Sequence, residues 1–249
     1  FEMGFERPSA IQEEALPRIL ANPPRNVIGQ AQSGSGKTAA FVVGMLFRVM
    51  IDAPATCQAL CVTPTRELAV QVSEEVHKLA CFKPGIRALP VYGGQSYERQ
   101  FAGLKAGANI VIGTPGRVMD HVRRGTLKLE TISNFVLDEA DEMLNMGFLE
   151  DVEWLLEGIP EQRQIALFSA TMPASIRRIA RKYLNDPLEI TIKGRTATAH
   201  SINQRYLVTN GYGRKLEALR RLLEVDKVDG MLVFVRTKIQ TVELAEQLG

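Results

Sequence analysis

A doubly wound α/β sandwich, with a mostly parallel sheet between two layers of helices, is the fold this sequence predicts. Three observations carry that reading. Seven short apolar runs, at 26–29, 59–63, 88–92, 109–113, 134–138, 164–169 and 188–192, have strand-like composition. Segments of helical periodicity lie between them, at 66–79, 97–104, 118–124, 151–156 and 175–183. The runs are continuously apolar, which is how strands read when both faces of their sheet are covered. Right-handed crossovers then distribute the helices over the two faces, giving three layers. In such sheets ligands collect where loops leave the carboxyl ends of the strands.

The pattern assigns residues 1–193 to this domain. Residues 194–203 are polar and aperiodic and read as a linker. Residues 204–249 read as the incomplete start of a second α/β unit. It should hold a strand at 204–209, a helix at 214–224, a strand at 231–235 and a helix at 239–248. Phe1 is not an initiator methionine, and the helical pattern of 243–248 has no cap after it. The expectation is a piece of a longer protein.

Bulk properties narrow the class. The 249 residues are 45% hydrophobic and 23% charged, an ordinary globular composition. The formal net charge of +2 does not announce nucleic acid, so that claim must rest on local residues. No apolar run reaches the length of a membrane span and no signal-peptide pattern opens the chain, so a cytoplasmic location is expected. Cys57, Cys61 and Cys81 suit a reducing compartment and lack the spacing of a zinc site.

After the first run comes Ala31-Gln32-Ser33-Gly34-Ser35-Gly36-Lys37-Thr38, followed by a helical segment at 38–47. Glycines let the backbone approach phosphate oxygens, and the N–H groups opening the helix form an anion nest. Lys37 would reach the β- and γ-phosphates, and the Thr38 hydroxyl would bind Mg²⁺. The strict pattern wants glycine at the position of Ala31. Asp138 and Glu139 end the fifth run. Asp138 would hold Mg²⁺, and Glu139 would orient or deprotonate the attacking water. Together the two motifs describe a nucleoside triphosphatase. A guanine-specific Asn-Lys-x-Asp motif is lacking.

Residues 138–141 read Asp-Glu-Ala-Asp, and the chain resembles a DEAD-box RNA helicase. Further motifs stand in family order. Gly4 to Pro8 with Ile11-Gln12 looks like the Q motif, and 64–69 looks like motif Ia. Gly93-Gly94 and Thr114-Pro115-Gly116-Arg117 look like the next two RNA-side motifs. Ser169-Ala170-Thr171 looks like motif III, and 233–237 like motif IV. The resemblance implies a RecA-like fold and use of ATP with Mg²⁺. It implies that Gln12 reads the adenine edge, flanked by Phe5 and Arg7. It implies that Pro64, Thr65, Arg66, Gly93, Gly94, Thr114, Pro115, Gly116 and Arg117 grip the backbone of one RNA strand, with little sequence preference. Ser169 and Thr171 would couple the two sites. Residues 138–153 look like bacterial members tied to cold adaptation and ribosome assembly. Residues 21–26 look like eukaryotic mRNA-export members.

The implied activity is ATP-driven local unwinding of RNA duplexes. The alternatives are an ATP-dependent RNA clamp that assembles complexes without unwinding, and a DNA-directed helicase. The motifs absent here include the arginine-rich one that reaches the γ-phosphate, so the chain alone should hydrolyse ATP weakly. The remaining polar residues carry plainer readings. Arg177, Arg178, Arg181 and Lys182 form a solvated face, Trp154 packs, and His77, His121 and His200 are structural.

Overall fold

The computed structural model describes residues 7–53, 56–192, 203–226 and 229–248. Phe5, His200 and most of the expected linker lie outside the described residues. The chain divides into two compact units, Phe1–Arg195 and Thr196–Gly249.

The first unit alternates helices and strands. Its strands are β1 (Val27–Gln30), β2 (Ala59–Val62), β3 (Ala88–Val91), β4 (Ile110–Gly113), β5 (Asn134–Leu137), β6 (Gln164–Ser169) and β7 (Leu188–Thr191). They form one sheet in the order β3-β4-β2-β5-β6-β1-β7, with every pair parallel. All seven coincide with the apolar runs. The helices are α1 (Ala10–Ile19), α2 (Lys37–Arg48), α3 (Arg66–Leu79), α4 (Tyr97–Lys105), α5 (Pro115–Arg123), α6 (Ala140–Asn145), α7 (Leu149–Gly158) and α8 (Ala174–Tyr183). Among these, α1 and α6 fall outside the periodic segments.

Alternation along each strand builds two separate cores. Leu60, Val62, Phe135, Leu137, Ile165 and Leu167 pack against α5 to α8 on one face. Ala59, Cys61, Ile110, Ile112, Val136 and Phe168 pack against α1, α2 and α3 on the other. Both faces are therefore buried, and that is why the strands lack a polar alternation. Phe41 of α2 meets Phe168 at a centroid distance of 5.4 Å, a favourable tilted geometry. Among the described residues no helix is long and apolar enough to cross a membrane.

The second unit departs from expectation. It holds two helices, α9 (Tyr212–Val225) and α10 (Lys238–Leu248), joined by hydrogen bonds from Tyr212 Oη to Gln247 Oε1 and from Arg220 to the Gln247 carbonyl. Residues 204–209 and 231–235 are not strands. A strand exists only where a neighbour accepts its ladder of hydrogen bonds. Neither segment has such a neighbour among the described residues, and Phe234 is 91% exposed.

Candidate nucleotide and nucleic-acid site

The sheet order sorts the motifs into two groups. The loops after β1, β5 and β6 leave three consecutive strands, with Gln30 paired to Ser169 and Leu137 to Leu167. The loops after β2, β4 and β3 leave the three strands on the far side of β5, with Val62 and Val91 both level with Gly113. The first group carries the phosphate-loop and carboxylate residues. The second carries Pro64 to Arg66, Gly93-Gly94 and Thr114 to Arg117.

In the first group, Gly36 caps α2 at φ +95° and Gly34 stands at φ +77°. Only glycine takes this region without strain. A Cβ on Gly36 would also sit 2.6 Å from Gln12 Nε2 and 2.8 Å from Ser9 Oγ. Ala31, where the strict pattern has glycine, has no positive φ and is buried, with its N–H on the Ser169 carbonyl at 3.1 Å. Alanine fits because this position needs no left-handed backbone. The buried Lys37 ammonium donates to the Ala31 carbonyl at 2.7 Å, across the loop. With no side chain capping α2, its opening N–H groups stay available to an anion. Gln32, Ser33 and Gly34 are exposed, and Ser35 Oγ closes the loop on the Gln32 carbonyl at 2.7 Å.

Asp138 is 4% exposed at the end of β5. Burial pushes its carboxyl up to about 7, against the partial relief of Lys37 and with a further push from Glu139. Its Oδ1 accepts the Glu139 N–H at 3.0 Å. Glu139 is held at φ +53°, ψ +50°, where a non-glycine residue stores on the order of 1–2 kcal/mol of strain. The half-buried Thr38 forms no side-chain hydrogen bond among the described residues. A buried carboxylate short of countercharge suits a hard divalent cation, and Thr38, in the first turn of α2, keeps an unused hydroxyl. Among the described residues no three of His, Cys, Asp or Glu converge. Such a cation would take its other ligands from phosphate and water.

Asp141 carries a role the sequence reading did not assign. Its N–H donates to Ser169 Oγ at 3.1 Å, and its Oδ2 accepts from the Thr171 N–H at 2.8 Å and the Thr171 hydroxyl at 2.7 Å. Burial alone would raise this carboxyl, but the bonds from Ser169 and Thr171 bring it below the ordinary value. Ser169 and Thr171 are thus anchored on the fourth motif residue, which puts the end of β6 and the start of α6 in one unit.

The Gln12 amide makes two hydrogen bonds within the fold. Its Oε1 accepts the Ser9 N–H at 3.0 Å, closing the first turn of α1, and its Nε2 donates to the Gly36 carbonyl at 3.1 Å. One donor and one acceptor position remain on it. Arg7 is exposed.

In the second group, Thr65 caps α3 by accepting the Leu68 N–H at 3.3 Å, and the exposed Arg66 pairs with its neighbour Glu67. No heavy atom lies within 4 Å of a Cβ placed on Gly93, Gly94 or Gly116, so these backbones face open space. Thr114 precedes Pro115 at the first position of α5, where a missing N–H costs nothing. Arg117 Nη1 donates to the Gln95 carbonyl at 3.0 Å and to Gln100 Oε1 at 3.2 Å.

The residues read plainly vary. Arg178 and Lys182 form ion pairs with Glu153 and Glu157 on α7. Trp154 is partly exposed under Arg123, whose guanidinium lies 5.4 Å from the ring centroid. His77 Nδ1 lies 2.7 Å from the Ser73 carbonyl, whereas His121 is fully buried in a polar network.

Comparison with known proteins closes the matter of family. Residues 9–179 match the description DEAD/DEAH box helicase. The chain is 49% identical, over 99% of its length, to the ATP-dependent RNA helicase DeaD of Mycobacterium tuberculosis, of which it covers 43%. It is equally identical to the DEAD-box ATP-dependent RNA helicase CshA of Geobacillus kaustophilus, covering 52%. It thus spans about two fifths to half of these relatives. A DEAD box protein from Methanococcus jannaschii superposes with a TM-score of 0.73 at 43% identity, covering 99% of this chain and 65% of that one. Saccharomyces cerevisiae dbp5, bound to nup159, gle1, IP6 and ADP, gives 0.67 at 37%, with 99% and 64% covered. With its phosphate loop, its carboxylate pair and its Ser169–Asp141–Thr171 bridge on three adjacent strand ends, this chain belongs to the DEAD/DEAH box helicase family.

Proposed function

We propose that this chain is the ATP-binding half of an RNA helicase, which hydrolyses ATP to drive local unwinding of RNA duplexes. The observation that carries the reading is the joining of Lys37, Asp138, Glu139 and the Asp141 bridge at the ends of β1, β5 and β6. In this reading the anion nest at α2 holds the phosphates, and Lys37 leaves the Ala31 carbonyl for the β- and γ-phosphate oxygens. Asp138 and Thr38 would hold Mg²⁺, which when bound would offset phosphate charge. Glu139 is held one residue beyond Asp138 and takes a proton from the attacking water or fixes its direction.

The loops after β2, β4 and β3 form the RNA side. Thr65, Arg66, Gly93, Gly94, Thr114, Gly116 and Arg117 offer backbone N–H groups, hydroxyls and charge to phosphates. Such contacts fix register without reading bases. Asp141, Ser169 and Thr171 couple the γ-phosphate side to the closing of the whole protein on RNA. Unwinding is preferred to a purely clamping role because the relatives matched along this entire chain are named helicases. The rest of such a protein supplies the second wall of the cleft.

ATP hydrolysis by this chain, with and without single-stranded RNA, tests the reading beside Lys37→Ala and Glu139→Gln. Weak turnover that falls on the order of 10²-fold or more in either variant is expected. Activity that survives both changes removes the site from the chemistry.

A further inference from the structure

Around Arg117 the polar groups are bound together more closely than a surface contact requires. Gln100, on α4, is 1% exposed and uses its whole amide. Its Nε2 donates to the Tyr92 carbonyl and to Gln95 Oε1, both at 3.1 Å. Its Oε1 accepts from Arg117 Nη1 at 3.2 Å and faces His121 Nε2 at 2.9 Å. This orientation is forced. A carbonyl only accepts and a guanidinium only donates, so the amide nitrogen must face Tyr92 and the oxygen must face Arg117. His121 Nε2 therefore carries a proton and donates to Gln100. Its Nδ1 faces the Thr126 hydroxyl at 2.9 Å.

Both Nη1 protons of Arg117 are consumed, by Gln100 and by the Gln95 carbonyl at 3.0 Å. Its guanidinium also lies 4.0 Å from the centroid of the Tyr97 ring, whose hydroxyl donates to Asp120 Oδ2 at 2.7 Å. Nε and Nη2 remain, the pair that grips two oxygens of one phosphate.

We propose that His121 and Gln100 are positioning residues for RNA. Their buried amide–imidazole pair locks Arg117 and the Gly93-Gly94 loop into one preformed cradle for a phosphate backbone. The proposal rests on the reading of Arg117 as an RNA contact. Neither His121 nor Gln100 touches RNA. They act by removing the rotamer freedom that an unrestrained arginine would lose on binding.

The test is the affinity of this chain for a fluorescein-labelled single-stranded oligouridylate, with ADP affinity measured in parallel. His121→Leu and Gln100→Met should each weaken RNA binding about five- to tenfold, the loss expected for a misplaced charged contact. ADP affinity should stay at the parent value. His121→Gln, whose amide restores an N–H near the imidazole Nε2, should bind RNA within about twofold of the parent. In an Arg117→Ala background each substitution should cost clearly less, because the part of the coupling that runs through that arginine is already gone. Parent-like RNA binding by both His121→Leu and Gln100→Met, with Arg117→Ala impaired, overturns the proposal alone. A loss that persists undiminished in the Arg117→Ala background also overturns it. Normal RNA binding by Arg117→Ala itself overturns the RNA-face reading and the proposal with it. If His121→Leu loses ADP as well, Gln100→Met and the His121→Gln rescue decide.

Discussion

Replacing Asp138 with asparagine should make the nucleotide-free chain more stable at pH 8 while abolishing its ATPase activity. The carboxyl stands at about 7, against an ordinary value of 3.8, and burial is the largest cause. At 1.36 kcal/mol per unit, keeping it ionised in the fold costs about 4 kcal/mol. The sign follows from linkage. Below pH 3.8 the group is protonated in both states and contributes nothing. Between 3.8 and about 7 the unfolded chain ionises and the folded chain resists, so stability falls as pH rises. Above about 7 the full penalty is in place. Asparagine keeps an oxygen for the Glu139 N–H and removes the charge. The gain at pH 8 should be ~2–4 kcal/mol, the value of about 7 already including the Lys37 attraction, and small at pH 4. Denaturant unfolding at the two pH values, without nucleotide, reads this directly. An asparagine variant no more stable than the parent at pH 8, or a difference that ignores pH, would refute the argument. The penalty also has a use. A divalent cation beside Asp138 stabilises the ionised form, so adding Mg²⁺ and nucleotide should erase most of the variant's advantage.

Two further outcomes follow from the geometry. Gly36→Ala places a methyl 2.6 Å from Gln12 Nε2 at φ +95°, so it should cost about 1–3 kcal/mol in unfolding experiments and cut ADP affinity. Retained affinity would show that the Gln12–Gly36 contact is dispensable. Asp141→Ala frees Ser169 and Thr171, and should cost about 1–2 kcal/mol because the bonds to Thr171 are exposed. It should leave ADP binding intact. In a full-length protein, RNA stimulation of ATP turnover should fall, and unchanged stimulation would separate the bridge from coupling.

Legibility in the sequence tracked how local each signal is. The seven strands were readable because burial on both faces writes itself as contiguous apolar residues. The phosphate loop was readable because its glycines and Lys37 must be neighbours in the chain. Helix α6 has only six residues, too few to establish a period, yet it places Asp141 against the end of β6. The bridge from Asp141 to Thr171 spans 30 residues and the pair of Gln100 and His121 spans 21. No pattern of spacing announces such pairs, because a parallel sheet brings strand ends together only after its crossovers are made. His121 shows the consequence. Read alone, a histidine on a helix is a structural residue. Only when Gln100 is seen to be pinned between an obligate acceptor and an obligate donor does the imidazole acquire a fixed tautomer. Gln12 shows the converse. Its residue type suits a base edge, but the fold employs it to tie α1 to the phosphate loop. The two strands expected at 204–209 and 231–235 failed for the same reason that the first seven succeeded. Apolar composition makes a segment able to pair, and only a neighbouring strand makes it do so.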